Sequence, residues 1–210
     1  MKDVLHKLNW RYATKVFDNS KKVSKEDFNT ILEAARLTAS SYGLQPYHFY
    51  VIEDSEVRSK LRKASWNQSQ ITDASYLLVL ANKPTFDESL VDNYVDNLIL
   101  IRGVTKKDVE GYSQFVKGIL LGLTDAQKKS WTSDQTYLAL GNLMTIAAEM
   151  EIDTCPIEGF DKTQYNEILG LNDKNLNASV VLTIGYRSDE DKTQNHPKVR
   201  YSKEQIITYI

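Results

Sequence analysis

The run Tyr76-Leu77-Leu78-Val79-Leu80-Ala81 gives the clearest structural signal in the chain. Apolar residues follow one another there without alternating with polar ones, which is typical of a β-strand covered on both faces. Two other runs, residues 48–52 and 180–185, are similarly rich in β-branched and aromatic residues. All three are far shorter than the roughly 20 apolar residues that a membrane-spanning helix requires. The sequence therefore predicts a sheet buried between two layers.

Helical patterns separate the three predicted strands. The clearest helix begins at Ser24, because Ser24 and Asp27 form a capping-box-like pair that can satisfy free amide hydrogens at a helix start. The apolar residues that follow recur at helical spacing: Phe28, Ile31, Leu32 and Ala35. A second helix is predicted over residues 137–150, and its apolar side chains occupy nearly every face, which indicates burial in a core or a subunit interface. This order of elements favours an α/β fold, or an α+β fold with a mixed sheet.

Composition excludes several classes of function. The 210 residues include 26 lysines and arginines against 28 acidic residues, so the net charge is −2 and no nucleic-acid partner is expected. The single cysteine, Cys155, excludes an intrachain disulfide and a cysteine-only metal cluster. The three histidines lie far apart in the sequence, so we expect no metal site. The first residues lack the apolar core of a signal peptide, and we expect a cytoplasmic protein that does not associate with membranes.

Four polar clusters remain as candidates for chemistry, at residues 11–15, 40–49, 156–160 and 198–200. Arg11 and Lys15 are four residues apart and would share a helical face, where a solvated basic pair is the commonest outcome. Residues 40–49 read as an ordinary helix-to-strand loop, and residues 198–200 lie in a polar tail. Considered separately, none of the clusters predicts a function.

Considered together and in this order, the clusters resemble the FMN-dependent nitroreductase family of NAD(P)H oxidoreductases. The resemblance is strongest to its oxygen-insensitive members, of the minor bacterial nitroreductase and dihydropteridine reductase type. The matching stretches are Arg11-Tyr12-Ala13-Thr14-Lys15-Val16-Phe17-Asp18, Ser40-Ser41, Gln45-Pro46-Tyr47-His48-Phe49, Asn67, Asp73-Ala74-Ser75, Tyr137-Leu138 with Gly141-Asn142, Pro156-Ile157-Glu158-Gly159-Phe160-Asp161, and Pro197-Lys198 with Arg200. Residues 84–133 have no matching stretch.

The resemblance implies a fold and an assembly. We expect an α+β fold in which a nitroreductase-like mixed β-sheet is flanked by helices in a three-layer α/β/α arrangement. We also expect an obligate homodimer with two FMN sites at the subunit interface. Residues 1–210 would form a single FMN-binding domain, with residues 84–133 as a variable lid and residues 187–210 as a tail that wraps around the partner subunit.

The resemblance also assigns cofactor contacts. Arg11, Lys198 and Arg200 would hold the FMN phosphate, a role suited to guanidinium groups that pair with phosphate in bidentate fashion. Lys15 would lie at the N1/O2 side of the isoalloxazine, where a positive charge stabilises the reduced flavin. The other expected contacts are Tyr12, Ala13, Ser40, Ser41, Gln45, Asn67, Gln70, Pro156, Ile157, Glu158 and Gly159. Glu158 and Gly159 would place backbone amides near N5 and O4.

Three of these positions depart from the family pattern. The family often has a histidine where this chain has Tyr12, a serine where it has Ala13, and a lysine where it has Gln70. Fewer phosphate contacts are therefore expected near residues 12 and 13. Gln70 can donate a hydrogen bond to the flavin but brings no charge.

The expected function is an FMN-dependent NAD(P)H oxidoreductase. Hydride would pass from NADH or NADPH to FMN N5 and then, in a ping-pong sequence, to a nitroaromatic, a quinone or a related flat electron-poor acceptor. No side chain would be catalytic, because the flavin carries the hydride. Two alternatives stay open: a flavin-carrying or sensing module without turnover, and a reductive dehalogenase or ene-reductase of the same family.

Overall fold

The computed structural model describes residues 2–210, and one four-stranded sheet forms its centre. The strands are β1 (Tyr47–Ile52), β2 (Tyr76–Asn82), β3 (Asp153–Ile157) and β4 (Asn177–Gly185), in the spatial order β1-β2-β4-β3. All neighbouring strands pair antiparallel. The expected α+β class is confirmed. The sheet differs from the expected mixed one, because the parallel pairing within residues 2–210 is an isolated bridge between Ala13 and Thr154.

The side chains of β2 alternate between two hydrophobic clusters, one on each face of the sheet. Leu77 and Val79 pack into the first cluster, and Leu78 and Leu80 pack into the second. All four are fully buried. A strand covered on both faces has no solvent side that would favour polar residues, which explains the unbroken apolar run in the sequence.

Helices cover both faces and produce the three layers. The first cluster includes residues of α3 (Ser55–Ala64), α4 (Gln70–Asp73) and α8 (Lys162–Leu169). The second includes residues of α2 (Lys25–Arg36) and α7 (Asp125–Glu149). The start of α2 is as predicted, since the Ser24 hydroxyl accepts a hydrogen bond from the Asp27 amide at 3.0 Å.

Two elements differ from the sequence-based expectation. Helix α7 begins at Asp125, well before residue 137, and its start is fixed by a capping box between Thr124 and Gln127. Strand β3 was not predicted. It contains Pro156, which lacks a backbone amide hydrogen, and it is tolerated because β3 lies at an edge of the sheet.

Residues 84–133 contain α5 (Ser89–Arg102), α6 (Lys106–Leu121) and the first turns of α7. Helices α5 and α6 pack on each other and share a third hydrophobic cluster, which includes Val91, Val116 and Leu44. Whether this region acts as a lid stays a prediction.

Both ends of the chain carry short helices, α1 (Lys2–Trp10) and α9 (Lys203–Ile206). Around α9, Val199, Tyr201, Ile206 and Tyr209 are exposed although they are apolar or aromatic. The expected wrapping of this tail around a partner stays a prediction. Within residues 2–210, no helix is both long and apolar enough to cross a lipid bilayer.

Candidate functional site

The segment after α1 lies along the outer edge of β3. The Thr14 amide donates to the Thr154 carbonyl at 3.2 Å, and Ala13 forms the parallel bridge to the same residue. Three residues further on, Phe17 bridges to Arg187, just beyond β4. This parallel pairing brings Lys15 toward Pro156, two residues beyond the bridge in each chain segment.

One carboxylate, Asp191, fixes this segment. Its Oδ2 accepts hydrogen bonds from the Lys15 amide at 2.7 Å, the Val16 amide at 3.1 Å and the Tyr12 hydroxyl at 2.9 Å. Asp191 is only 1% exposed. Burial alone would raise its pKa, but these donors outweigh burial and hold the pKa below its usual range. Tyr12 is thereby drawn toward Asp191, and burial together with this hydrogen bond raises the pKa of its hydroxyl.

A second buried carboxylate, Asp153, anchors the chain after β4. Its Oδ2 accepts from the Arg187 amide at 2.9 Å, and its Oδ1 accepts from the Arg187 Nε at 2.8 Å. The Arg187 guanidinium lies 4.2 Å from the ring centre of Trp10 and 4.6 Å from that of Tyr12. A guanidinium between two aromatic rings and a carboxylate is firmly held. Arg187 therefore fixes the segment after β4 against the segment that contains Trp10 and Tyr12.

Three cations converge in a cleft between the N-terminal segment and the segment that follows β4. Arg11, Lys198 and Arg200 line a cavity of about 320 Å³, together with neutral or aromatic residues and His196. No acidic residue among residues 4–210 lines it. Lys198 Nζ donates to the Leu8 carbonyl at 2.5 Å and to the Arg11 carbonyl. Among the side chains of residues 4–210, none of the three cations forms an ion pair.

The charges in this cleft repel one another. Burial, followed by the charge of Arg200, lowers the pKa of Arg11. Burial, followed by the charges of Arg11 and Arg200, lowers the pKa of Lys198. Arg11 Nε is buried and has no hydrogen-bond partner in the described part of the chain. An unsatisfied buried donor among like charges is costly unless an anion binds there.

Lys15 and Gln70 both lie near Cys155, which precedes Pro156 in β3. Burial raises the pKa of the Cys155 thiol, and the Lys15 charge and a hydrogen bond with Gln70 oppose that rise. Cys155 is 2% exposed, so it is a core residue. Gln70 is also buried, so it does not point into solvent.

Asn67 lies in a tight turn that ends α3. Trp66 and Asn67 have φ angles of 53° and 60°, in the left-handed region that non-glycine residues seldom adopt. The turn is tied to the end of β3 by Gln68, whose Nε2 donates to the Gly159 carbonyl at 2.8 Å. The Trp66 ring covers Gly159 so closely that an added Cβ would lie 2.5 Å from it. Asn67, Gln70 and residues 156–159 are therefore grouped at one end of β3.

Glu158 is held from the other side by α7. The Tyr137 hydroxyl donates a short hydrogen bond to Glu158 Oε1, and burial together with this carboxylate raises the pKa of Tyr137 to about 12. Tyr137 is therefore protonated at neutral pH. The contact fixes the loop whose Glu158 and Gly159 amides the resemblance places near the flavin.

Ser40, Ser41 and Gln45 lie apart from this group. They occupy the turn between α2 and β1, and β1 is at the opposite sheet edge from β3. Three strand spacings separate the two edges by roughly 14 Å. The Ser41 amide donates to Gln135 Oε1 at 2.8 Å. Gln135 and Tyr137 are two residues apart in α7, so their side chains point in directions that differ by about 200°. Ser41 therefore contacts the side of α7 that is nearly opposite to Tyr137. One protomer does not bring these three residues to the β3 group.

Several residues that shape this site were missed by sequence reasoning: Asp153, Arg187, Asp191, Trp66, Gln68 and Gln135. The buried carboxylates lie in segments that read as polar and solvated, and no local pattern distinguishes them. Trp66 directly precedes Asn67, and Gln135 lies two residues before Tyr137. Closeness in sequence to these two matched positions was the only local indication that Trp66 and Gln135 belong to the site.

Residues 8–186 match the sequence model of the nitroreductase family. The chain belongs to the nitroreductase family. A Staphylococcus epidermidis protein named provisionally as an NAD(P)H nitroreductase is 40% identical over 99% of this chain and 96% of its own length. Lys198 and Arg200 lie beyond the segment that the family model matches.

Solved structures show the same fold. A nitroreductase-named structure from Bacillus subtilis superposes with a TM-score of 0.87 and 23% identity, covering 100% of both chains. A structure from Exiguobacterium sibiricum, named as a nitroreductase in complex with FMN, gives a TM-score of 0.82 and 25% identity, covering 99% of this chain and 97% of its own. The family and the fold expected from the sequence are therefore confirmed.

Proposed function

We propose that the protein is an FMN-dependent NAD(P)H oxidoreductase that reduces nitroaromatics, quinones or related flat electron-poor acceptors. The observation that carries the proposal is the cleft in which Arg11, Lys198 and Arg200 meet without a carboxylate. The named NAD(P)H nitroreductase relative and the FMN-bound structure of the same fold support it.

A phosphate monoester suits this cleft chemically. It carries close to two negative charges at neutral pH and several acceptor oxygens. Such an anion would relieve the repulsion among the three cations and would give Arg11 Nε, which has no described partner, an acceptor. Arg11 and Arg200 would bind it through their guanidinium groups, and Lys198 would contribute a point charge.

The ring of the cofactor would meet the group at β3. Lys15 would supply positive charge on one side, and the side chains of Asn67 and Gln70 would hydrogen-bond polar atoms of the ring. Pro156 and Ile157 would pack beside it. Asp191 supports this arrangement by fixing the backbone of Lys15, and Tyr137 supports it by holding Glu158.

Ser40, Ser41 and Gln45 would reach the cofactor from the second protomer of a homodimer. They lie at the opposite edge of the sheet from β3, so a single protomer would leave the proposed site incomplete. Exposed Leu138 on α7 and the exposed apolar residues of the C-terminal tail are suited to an interface.

Bound FMN would supply the redox chemistry, accepting two electrons as hydride from the nicotinamide and passing them to the acceptor. The chain's own residues bind, orient and shield the reacting ring. No side chain in the group is required as a general acid or base, and Tyr137, protonated and bonded to Glu158, acts as a support.

The test begins with anaerobic reduction of the purified protein by NADH and by NADPH, followed by a panel of acceptors. We expect a yellow protein that either nucleotide bleaches and that nitroaromatics or quinones reoxidise. A colourless protein that takes up no added FMN would refute the proposal. Bound flavin that neither nucleotide reduces would favour the sensing module, and turnover confined to halogenated or enone acceptors would favour the dehalogenase or ene-reductase alternative.

The phosphate contact can be tested separately with Arg200→Ala. Arg200 is exposed, so its loss should leave folding intact, but it removes a charge-assisted contact worth roughly 1.5–3 kcal/mol. FMN should therefore dissociate about ten to a hundred times more readily, as measured by fluorescence titration. Lys203→Ala, an exposed charge change three residues away, should leave the FMN affinity near that of the wild type.

A further inference from the structure

A second basic cavity lies at the β1 edge of the sheet, away from the Arg11 cleft. It has a volume of about 340 Å³ and is bounded by the turn before β1, by α5 and by the residues before β4. The residues that line it include three basic ones (His48, Lys83 and Lys174) and three with amide side chains (Gln45, Asn93 and Asn97). Among residues 4–210, no acidic residue lines it. This composition is suited to an anion.

The two lysines lack an acidic partner among the side chains of residues 4–210. Neither Lys83 nor Lys174 forms an ion pair or a side-chain hydrogen bond with any of them. Lys174 Nζ lies 5.3 Å from the ring centre of Tyr50. Both backbone polar groups of Lys83 form hydrogen bonds. Its amide donates to the Pro46 carbonyl at 3.0 Å, and its carbonyl accepts from the Thr132 hydroxyl at 2.7 Å. The backbone that carries Lys83 is therefore fixed, and no carboxylate of residues 4–210 neutralises either lysine.

Helix α5 carries its asparagine and its aspartate side chains on different sides. Asn93 and Asn97 are four residues apart and face the cavity, whereas Asp92 and Asp96 face α6. Lys117 of α6 pairs with Asp92 at 2.6 Å. The helix thus presents neutral donors and acceptors to the cavity, and its carboxylates are turned away from it.

We propose that this cavity binds the 2′-phosphorylated adenosine end of NADPH. The inference rests on the proposed function, in which Gln45 borders the flavin of the partner's site. Gln45 also lines this cavity, so a nucleotide whose nicotinamide lies on the flavin can extend past Gln45 toward Lys83 and Lys174. The FMN phosphate has its own cleft at Arg11. NADPH differs from NADH by one phosphate monoester, and two unpaired lysines would distinguish the two donors electrostatically.

Binding can be measured without turnover, using 2′,5′-ADP as the probe and 5′-AMP and inorganic phosphate as comparisons in calorimetric titrations. We expect 2′,5′-ADP to bind at least about tenfold more tightly than 5′-AMP, since the extra phosphate gains charge-assisted contacts. Equal affinity for the two nucleotides would overturn the proposal. Inorganic phosphate binding as tightly as 2′,5′-ADP would also overturn it, because it would indicate a free-phosphate site.

Variants locate the binding. Lys83→Gln/Lys174→Gln should abolish the preference for 2′,5′-ADP and raise the KM for NADPH about tenfold or more, with the KM for NADH changed less than about twofold. Lys83→Arg/Lys174→Arg should retain the preference, and so should Lys60→Gln, which removes an exposed lysine of α3. A glutamine variant that weakens both donors equally, or neither, would refute the assignment. If no nucleotide bleaches the flavin, the proposed function fails, whereas the 2′,5′-ADP titrations still decide this inference.

Discussion

Asp191 shows how one buried side chain can define a binding segment. Its carboxylate accepts hydrogen bonds from the amides of Lys15 and Val16, from the Tyr12 hydroxyl and from the Thr193 amide at 2.9 Å. These donors come from the N-terminal segment and from the residue two positions after Asp191. The position of Lys15 is therefore set by a residue that contacts no part of the expected cofactor.

Asp191→Asn tests this positioning role. The substitution keeps the shape but removes the charge and turns one acceptor oxygen into a donor that faces other donors. We expect the free energy of unfolding to fall by roughly 1.5–3 kcal/mol and FMN affinity to fall with it. Denaturant unfolding and fluorescence titration measure the two effects. Asp189→Asn, an exposed acid two residues away, is the control.

The same variant has a predicted pH signature. The folded pKa of Asp191 is lowered, so its ionisation contributes stability above the unfolded value of about 4, and this contribution is lost as pH falls through the folded pKa. The stability gap between wild type and Asp191→Asn should thus be full at pH 7 and narrow below pH 4. A gap that stays constant down to pH 2 would contradict the charge-based explanation.

At the scale of single elements, two glycines in different surroundings should respond in opposite ways to alanine. Gly118 is exposed within α6 and has open space around it. Gly185 ends β4, and an added Cβ there would lie 2.8 Å from the Phe17 ring and 3.2 Å from the Ser75 backbone nitrogen. The first glycine weakens its helix, and the second is required by close packing.

Gly118→Ala should therefore stabilise the protein by about 0.5–1 kcal/mol, because alanine reduces the entropy that the helix loses on folding. Gly185→Ala should destabilise it by about 1–3 kcal/mol through overpacking. Thermal and denaturant unfolding of the two variants provide the comparison. Equal signs for the two changes would show that local packing does not control these positions.

Elements with a complete local signal were predictable from the sequence. Strand β2 shows an unbroken apolar run, and α2 shows both its cap at Ser24 and its apolar stripe. Strand β3 lacked such a signal, because Pro156 interrupts it and its pairing with β4 joins residues far apart in the chain. The first turns of α7 are polar, and only the Thr124–Gln127 capping box marks them.

The candidate site was predictable where the resemblance supplied residues, and not where tertiary contacts supply them. The grouping of Arg11, Lys198 and Arg200 was expected on that basis, and the structure brings them into one cleft. The supports at Asp153 and Asp191 depend on folding, because only the folded chain buries them among donors. Burial of this kind leaves no periodic pattern.

At the scale of the whole molecule, the two groups of expected cofactor contacts lie at opposite edges of one sheet. A twofold dimer would combine the β3 group of one protomer with Ser40, Ser41 and Gln45 of its partner. Two sites per dimer would result, each built from both chains. This arrangement makes a prediction that a site within one protomer does not make.

Mixing two defective variants should restore function. Arg11→Ala removes a phosphate contact from the cationic cleft, which would serve the same site as the β3 group. Ser41→Phe obstructs the group at the opposite edge of the sheet. In a mixed dimer one site carries both defects and the other carries neither, so random pairing should recover about a quarter of wild-type sites. FMN content and turnover after co-expression measure the recovery. No recovery, with mixed dimers verified by tagged subunits, would show that each site lies within one chain.

The cationic cleft joins Arg11, which precedes all four strands in the chain, with Arg200, which follows all four. During synthesis on the ribosome, Arg11 therefore emerges before the sheet and Arg200 after it. A nascent chain cannot complete the cleft until every strand of the sheet has been made. A flavin phosphate held there would thus report that the long-range contacts of the fold have formed.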